Sequence, residues 1–433
     1  MSIDLTAEES ERRFAAYIEA LGSVVGHGSR KRPLQDYCTG LVMPAERKSV
    51  EPMAAMTAPA NVSAQHQSLL HFISSAPWSD EALLAKVRAL VLPSIERQGA
   101  IEAWIIDDTG IPKKGKHSVG VAHQYCGQLG KQANCQTAVS LSLANHQASL
   151  PVAWRLYLPQ EWTRDRERCR KAGIPKGIRF KTKPQIALDQ IRAAHEAGLP
   201  RGIVLADAGY GKETRFRTSL TELGLIYAVG IMPQTKVWAE GRRKAHAVEK
   251  LATELPKEAW REVQWREGSG KRLSSRFARI RVRAAHRDAL PADDPRAEEW
   301  LLIEWPKSEK RPTKYTLTSL PKDIAFARMV DNIKLRWRIE RDYEELKQEV
   351  GLGHFEGRSW RGLHHHAALC IATYGFLVSE KETIPPSGAC SSWRSQAPAI
   401  PESYQPRGAA SANPATHAQF NRNPAMAFDL SSR

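Results

Sequence analysis

Apolar residues with helical spacing characterise the first hundred positions of the chain. Ser79 precedes an acidic pair, and serine is a preferred residue at the start of a helix because its hydroxyl accepts a free backbone N–H. Behind this start, apolar residues recur every three or four positions: Leu83, Leu84, Val87, Leu90 and Val91. The pattern predicts a helical N-terminal domain over residues 1–97.

Short apolar runs replace this spacing from residue 101 onward. Five runs have the length of strands in a sheet: 101–106, 134–143, 149–158, 203–206 and 226–231. Pro184 begins one amphipathic helix between them, and Glu213 begins another. The order strand, strand, strand, helix, strand, helix, strand predicts an α/β core.

The pattern changes again between residues 232 and 320. Three strand-like segments that include tryptophans follow one another, at 277–282, 300–305 and 315–317. Arg279, Arg281 and Arg283 alternate, so one face of a strand would carry three arginines. Such a face suits a phosphate backbone, but it also suits a surface where arginine stems cover neighbouring side chains. The segment is predicted to be a β-rich insertion.

Two helices are predicted after the insertion, one over 323–349 that ends before Gly351 and one over 362–380. The longest apolar run, 367–378, is too short to span a membrane and is predicted to be a buried helix. Residues 381–433 are rich in Pro, Ser, Ala and Asn, which predicts a disordered tail. The predicted α/β core therefore comprises 98–231 and 321–380, with the insertion at 232–320.

Composition narrows the class of partner. The chain has 63 Lys and Arg against 47 Asp and Glu, a net charge of +16, which favours a polyanion such as nucleic acid or simply aids solubility. The first residues are charged where a secretory signal would be apolar, so a cytoplasmic protein is expected. Six cysteines without a C-x-x-C pair are expected to be reduced thiols.

Two aspartates follow apolar strands and offer a site for chemistry. Asp107 follows the run 101–106, and Asp207 follows 203–206, at the strand ends where α/β sheets commonly bind ligands. Carboxylates are hard ligands for Mg²⁺, and a pair of divalent cations stabilises both oxygens of an in-line phosphodiester displacement. Asp108 is an alternative ligand to Asp107, since adjacent strand residues face opposite sides. A turn or capping role would also explain either aspartate singly.

A third acid lies on the helix predicted over 323–349. Arg336, Glu340, Tyr343 and Lys347 are spaced i, i+4, i+7 and i+11, so they share one helix face. An apolar stripe runs beside that face, which places its polar groups at the border of the core. An ordinary exposed ladder of ion pairs would have the same spacing.

Two further motifs carry side chains that could bind ligands. The loop after the first acids carries Lys113, Lys114 and Lys116, and we expect it to contact DNA near the site. The triplet 364–366 consists of three histidines, but consecutive helical residues point about 100° apart and cannot all face one ion. A metal site is therefore not expected at the triplet.

Taken together, the motifs at 106–110, 205–211 and 336–340, with Lys347, resemble the DDE transposases of bacterial insertion sequences. The resemblance covers residues 100–380 and is to the branch with a Y-x2-R-x3-E-x6-K signature and a β-rich insertion. It implies a ribonuclease-H-like core in which three acids bind two Mg²⁺ or Mn²⁺ ions: Asp107, Asp207 and Glu340. It also implies that Arg336 and Lys347 contact phosphates of the transposon end. Ile333 stands where the signature has its tyrosine.

The resemblance also implies partners and a reaction. The expected activity is cut-and-paste transposition, with double-stranded DNA as substrate and target and at least a homodimer in the synaptic complex. The N-terminal domain is expected to bind the terminal inverted repeats. A tryptophan of the insertion would stack on a flipped base, and the candidates are Trp238, Trp260, Trp265, Trp300 and Trp305. The alternatives are a nuclease of the same fold that does not join ends, and an inactive DNA-binding regulator.

Overall fold

The computed structural model describes residues 2–241, 244–265, 267, 272–285 and 297–383, so the predicted tail lies outside it from residue 384 onward. Helices precede the sheet, as predicted: α1 (Ser2–Gly22), α2 (Lys31–Val42), α3 (Val50–Thr57), α4 (Val62–Ser74) and α5 (Asp80–Gln98). The hydroxyl of Ser79 accepts the backbone N–H of Ala82 at 3.1 Å. Helix α5 therefore begins at the residue that its cap predicts.

The first half of the sheet has the strand arrangement expected of the core. Its strands are β1 (Ala103–Pro112), β2 (Ala122–Cys126), β3 (Lys131–Ala144), β4 (Ser149–Leu156), β5 (Ile203–Ala206) and β6 (Tyr227–Ile231). Strand β3 lies antiparallel between β1 and β4, while β1, β5 and β6 are parallel neighbours. An antiparallel meander followed by two parallel strands is the ribonuclease-H-like arrangement, which confirms the expected mixed α/β fold.

Five helices connect these strands: α6 (Gln160–Arg164), α7 (Arg166–Lys171), α8 (Lys183–Glu196), α9 (Ala208–Gly211) and α10 (Thr214–Glu222). The predicted helix at Pro184 is α8. Its start is fixed by a capping box, in which Thr182 and Gln185 each bond the other's backbone N–H through their side chains. The extra strand β2 was not predicted, because polar residues cover most of its length.

The inserted segment continues the same sheet. It consists of β7 (Lys236–Ala239), β8 (His246–Ala247), α11 (Val248–Thr253), β9 (Arg261–Trp265), β10 (Leu273–Ala284), β11 (Glu299–Pro306) and β12 (Lys314–Thr318). Strand β12 pairs antiparallel with β6, so the insertion adds its strands to the edge of the core sheet. The β-rich character of this region agrees with the prediction.

The uninterrupted helix predicted over 323–349 was wrong. The segment forms α12 (Phe326–Lys334), α13 (Trp337–Glu345) and a π-helical turn (Leu346–Val350) before α14 (Trp360–Thr383). Met329 of α12 packs in a core with Phe277 of β10, whereas Ile339 of α13 packs in the main core. The helix is interrupted at Leu335 and Arg336, and its two halves bury apolar residues in different cores.

One hydrophobic core joins the N-terminal helices, the sheet and α14. Gly375 of α14 lies so close to α5 that an added Cβ would stand 3.1 Å from a methyl of Val91 and 3.2 Å from one of Val87. The apolar run 367–378 is a buried helix, as predicted. Across the described residues, no helix combines the length and apolarity needed to cross a membrane. The five cysteines within them are free thiols, and Cys390 lies outside.

Candidate active site

The first two acids lie side by side on parallel strands. Strand β1 pairs with β5 so that Ile105 is opposite Leu205, and Asp107 and Asp207 each follow two residues later. The prediction that Asp107 ends its strand was wrong, since β1 continues to Pro112 by pairing with β3. Asp207 does end its strand, and its Oδ1 accepts the N–H of Gly209 at 2.8 Å. Neighbouring strands therefore bring the two carboxylates to one edge.

A single guanidinium links the first and third acids. Arg336 donates from Nη1 to Oδ2 of Asp107 at 2.8 Å and from Nη2 to Oε1 of Glu340 at 2.7 Å. Burial alone would lower the pKa of Arg336, but the charges of Asp107, Glu340 and Asp207 together raise it. The three acids come from β1, from the end of β5 and from α13. The structure thus gathers them around one arginine.

The environment of Asp107 disfavours its charged form. Burial raises its pKa to about 6, Arg336 opposes that rise, and Asp207 and Asp108 add to it. A carboxylate that is taken out of water and repelled by other carboxylates is costly as an anion. The edge is therefore a place where an added cation would be bound favourably.

Asp108 points to a different set of partners. Lys183, the first residue of α8, lies with its Nζ 2.7 Å from Oδ2 of Asp108. The hydroxyl of Tyr210 donates to Oδ1 of Asp108 at 3.3 Å. Adjacent strand residues face opposite sides, so Asp107 reaches α13 while Asp108 reaches α8 and α9. Lys183 and Tyr210 were not predicted as site residues, although Tyr210 lies within the 205–211 motif.

The donor chemistry of the three acids suits a hard divalent cation. Carboxylate oxygens are the ligands that Mg²⁺ and Mn²⁺ prefer, and the neighbouring carboxylates of Asp207 and Asp108 raise the pKa of Asp107. Among the described residues, no three His, Cys, Asp or Glu side chains converge closely enough to form a metal cage as they stand. Arg336 accounts for this, because its guanidinium holds Asp107 and Glu340 on its two arms.

The predicted lysines differ in exposure. Lys113 turns inward, where its Nζ donates to the carbonyl of Phe355 at 2.7 Å and burial lowers its pKa to about 8. Lys114 and Lys116 are exposed in the same loop. Lys347 lies in the π-helical turn, where burial lowers its pKa and the Cys126 thiol is a neighbour. Lys114 and Lys116 are therefore accessible to an anion, whereas Lys113 supports the loop that carries Phe355.

The arginines of β10 pack on tryptophan. The guanidinium of Arg279 lies 4.3 Å from the ring centroid of Trp300, and that of Arg281 lies 4.8 Å from it. Arg279 also donates to the carbonyl of Ile324 at 2.7 Å. These contacts support the interpretation that the arginine stems cover neighbouring side chains.

Two more of the five tryptophan candidates have a cation over the ring. Arg276 lies 3.8 Å from the ring centroid of Trp305, and the Nζ of Lys334 lies 4.0 Å from that of Trp265. A flipped base would have to displace these cations. The structure therefore assigns packing contacts to Trp265, Trp300 and Trp305.

The histidine triplet of α14 makes separate contacts with the protein. His364 is 2.9 Å from the carbonyl of Trp360, and His366 is 2.8 Å from the hydroxyl of Tyr37. His365 stacks on Trp78 with ring centroids 3.6 Å apart. The three rings point to different neighbours, as the helical geometry predicts.

The fold and the site together define a protein with a ribonuclease-H-like sheet and two acids side by side on its central parallel strands. The chain belongs to the DDE superfamily endonucleases, whose family model matches residues 20–272. A second model, the transposase DDE domain, matches residues 181–376. Both matches include Asp207, and the two together include all three acids.

A known insertion-sequence protein agrees with the family assignment. The chain is 27% identical over 317 residues, 73% of its own length and 74% of the relative's, to the probable transposase for insertion sequence element IS701 of Microchaete diplosiphon. The resemblance to insertion-sequence DDE transposases is thereby confirmed. A solved piggyBac transposase synaptic complex with hairpin DNA is 10% identical, with a TM-score of 0.43 over 80% of this chain. This chain spans 64% of that one.

Proposed function

We propose that the chain is a cut-and-paste transposase, which cleaves DNA at terminal inverted repeats and joins the freed 3′ ends to target DNA. The observation that carries the proposal is the gathering of Asp107, Asp207 and Glu340, from three separate elements, around Arg336. We call the end of the sheet where these three acids lie the acidic edge. Family membership supports phosphodiester chemistry there. No nucleotide cofactor enters the reaction.

Each acid has a proposed role at a divalent metal site. Asp107, Asp207 and Glu340 would hold two Mg²⁺ or Mn²⁺ ions, with Asp108 engaged by Lys183 instead. The bound ions would stabilise negative charge on the attacking and leaving oxygens. Loading requires Arg336 to release Asp107 and Glu340, since its guanidinium now satisfies both carboxylates.

The cationic side chains would then hold the substrate. The guanidinium fork of Arg336 matches the geometry of a phosphate, so on release it is placed to bind the DNA backbone next to the acids. Lys347, Lys114 and Lys116 would add sequence-independent contacts to phosphates. Lys113 would act indirectly by fixing the loop through Phe355.

The remaining assignments concern the whole assembly. We propose that residues 1–97 bind the transposon ends, that 98–231 with 321–380 form the catalytic unit, and that 232–320 is an accessory insertion. The N-terminal helices pack directly on the catalytic sheet through one hydrophobic core. Two ends must be brought together before joining, so the active species would be a homodimer on double-stranded DNA.

The test incubates the purified protein with pre-cut transposon ends, a plasmid target and Mg²⁺. The wild type should yield joined products, and Glu340→Gln should yield none while still binding the ends. Glu344→Gln is the matched control, because Glu344 is an exposed acid one turn further along α13. In a parallel reaction with uncut ends, cleavage without joining would identify a nuclease that does not join ends, and intact strands would identify an inactive DNA-binding regulator.

A further inference from the structure

A short segment between β4 and α8 concentrates much of the positive charge of the chain. Residues 164–183 contain nine Lys or Arg and two Asp or Glu, a net charge of +7 within a total of +16. We call this segment the basic ledge. The ledge includes the end of α6, all of α7 and the first residue of α8. None of the motifs that indicate the acidic site includes a residue of the ledge, although Lys183 contacts Asp108.

The basic ledge follows β4 along the chain and ends beside the acidic edge. Leu156, the last residue of β4, pairs with Ala138 of β3. On its other side, Ala138 pairs with Thr109 of β1. The end of β4 is therefore level with β1 just beyond Asp107. At the far end of the ledge, Lys183 holds Asp108 at 2.7 Å. The ledge therefore ends in direct contact with a carboxylate next to Asp107.

Specific contacts fix the ledge to the loop that carries Lys114 and Lys116. The guanidinium of Arg168 lies 3.7 Å from the ring centroid of Trp162 and donates to the carbonyl of Lys116 at 2.9 Å. Trp162 is buried and donates from Nε1 to the carbonyl of Val121 at 2.8 Å. The ledge and the loop therefore form one continuous basic surface.

Most cations of the ledge project into solvent without a carboxylate partner. Within the described part of the chain, five exposed members take part in no ion pair: Arg164, Arg166, Arg170, Lys176 and Arg179. By contrast, Lys171 is paired with Glu167, and Lys181 with Asp189. Mutual repulsion among clustered unpaired cations disfavours the free protein and is relieved by a polyanion.

We propose that the basic ledge binds the phosphate backbone of duplex DNA flanking the phosphodiester that is cut. The inference rests on the proposed function for the identity of the polyanion. Its support is independent of the metal site: a run of unpaired guanidinium and ammonium groups in a segment that Arg168 ties to the Lys116 loop and Lys183 ties to Asp108. The ledge contacts are sequence-independent and position the duplex over Asp107 and Asp207.

The test compares two triple variants of the full-length protein. One carries Arg164→Gln, Arg166→Gln and Arg170→Gln in the ledge. The other is a control that neutralises three exposed cations elsewhere: Arg201→Gln, Lys257→Gln and Lys322→Gln. Arg201 lies at the opposite end of β5 from Asp207. Both lose the same net charge. Binding to a fluorescein-labelled duplex of random sequence is followed by anisotropy, with EDTA present, across a series of salt concentrations.

The ledge variant should lose about 2.7 from the slope of log affinity against log salt, because each phosphate contact contributes about 0.9. The same relation gives an affinity about 100-fold weaker at physiological salt. The control should keep the wild-type slope. A ledge variant with the wild-type slope, or a control that loses as much, would overturn the inference in favour of a general effect of net charge.

Two further measurements separate folding and function from the inference. The melting temperatures of the ledge and control variants should match that of the wild type. A second ledge variant, Lys176→Gln with Arg179→Gln, should lose about 1.8 from the slope of log affinity against log salt. If the wild type joins transposon ends but the ledge variants keep its slope, the ledge proposal fails while the function stands. If the wild type binds duplex with a ledge-dependent slope but never cuts, the proposed function fails alone.

Discussion

The acidic edge of the sheet and the inner face of α14 both carry titratable side chains, but the histidines of α14 are buried, whereas Asp107 is partly buried and Glu340 is exposed. On α14, His366 has the hydroxyl of Tyr37 at 2.8 Å and the carbonyl of Gly351 at 3.1 Å. At the acidic edge, Asp107 lies beside Asp207, and the positive charge of Arg336 offsets part of the repulsion between the two carboxylates. The histidines meet neutral hydrogen-bonding groups, whereas the acids meet one another.

The difference separates groups that hold the fold from groups kept for another purpose. A buried polar group with a neutral partner adds to stability, while buried like charges reduce it. Burial lowers the pKa of His366 to about 4, so it remains neutral and packs like a core residue. Residues kept at a cost to stability are found most often at functional sites.

Removing an acid should have the largest effect, and it should be on activity. Asp107→Asn is expected to reduce strand cleavage by about 10⁴-fold, because several kcal/mol of charge stabilisation would be lost. The free energy of unfolding should change by less than about 1 kcal/mol, since a repelled charge is removed. Cleavage rates and urea unfolding measure the two quantities. A large loss of stability would place Asp107 with the structural residues.

Truncating a histidine of α14 should reduce stability and leave the cleavage activity unchanged. His366→Ala is expected to lower the free energy of unfolding by about 4 kcal/mol, through a cavity and the loss of a buried partner for Tyr37. The folded fraction should cleave DNA at the wild-type rate. His71→Ala, an exposed histidine on α4, is the control and should cost less than about 0.5 kcal/mol. Loss of cleavage in stable, folded His366→Ala would contradict the separation.

The pH dependence of stability should identify the α14 histidines as well. Burial lowers the pKa of His365 to about 4, against about 6.5 in an unfolded chain. Between these values only the unfolded state takes up the proton, so the stability that neutral His365 contributes is lost as pH falls from about 6.5 to 4.

Asp342 changes the stability in the opposite direction with pH, because burial raises its pKa to about 6. Comparing the wild type with a variant that lacks only His365 removes the contribution of Asp342, since both proteins share it. His365→Gln should be less stable than the wild type at neutral pH, and the gap should narrow by roughly 3 kcal/mol on acidification to pH 4. Urea unfolding at a series of pH values measures the gap. A gap that does not vary with pH would show that His365 has an ordinary pKa.

The arginines of β10 extend the comparison to cations and should show the smallest effect. Arg279→Gln removes the stacking on Trp300 and the hydrogen bond to Ile324, which should cost about 1 kcal/mol of stability. The salt dependence of duplex binding should not change, in contrast to the basic ledge. A lower salt slope in Arg279→Gln would show that β10 contacts phosphate after all.

Much of the local structure was readable from short windows of sequence. Ser79 marked the start of α5, the run 203–206 marked β5, and the apolar stretch 367–378 marked the buried part of α14. These features depend on neighbours within a few positions, and hydrophobic period and cap chemistry record such neighbours. The same windows placed Asp207 at a strand end.

Other features depended on residues far away in the chain. Strand β1 continues past Asp107 because β3 keeps pairing with it, and the helix over 323–349 breaks because its halves pack in different cores. Neither cause is visible in the segment itself. The partners of Asp108 are also distant, with Lys183 lying 75 positions along the chain.

The sequence by itself therefore determined local features such as the start of α5, strand β5 and the buried part of α14, and it nominated the three acids of the candidate site, since periodicity, caps and motifs are local. Only the tertiary structure decided which charges meet. It placed Arg336, 229 positions from Asp107, between two carboxylates, and it turned Arg279 onto Trp300. The physical reason is that side-chain pairing follows packing in three dimensions, and the burial that sets each pairing is a property of the whole fold.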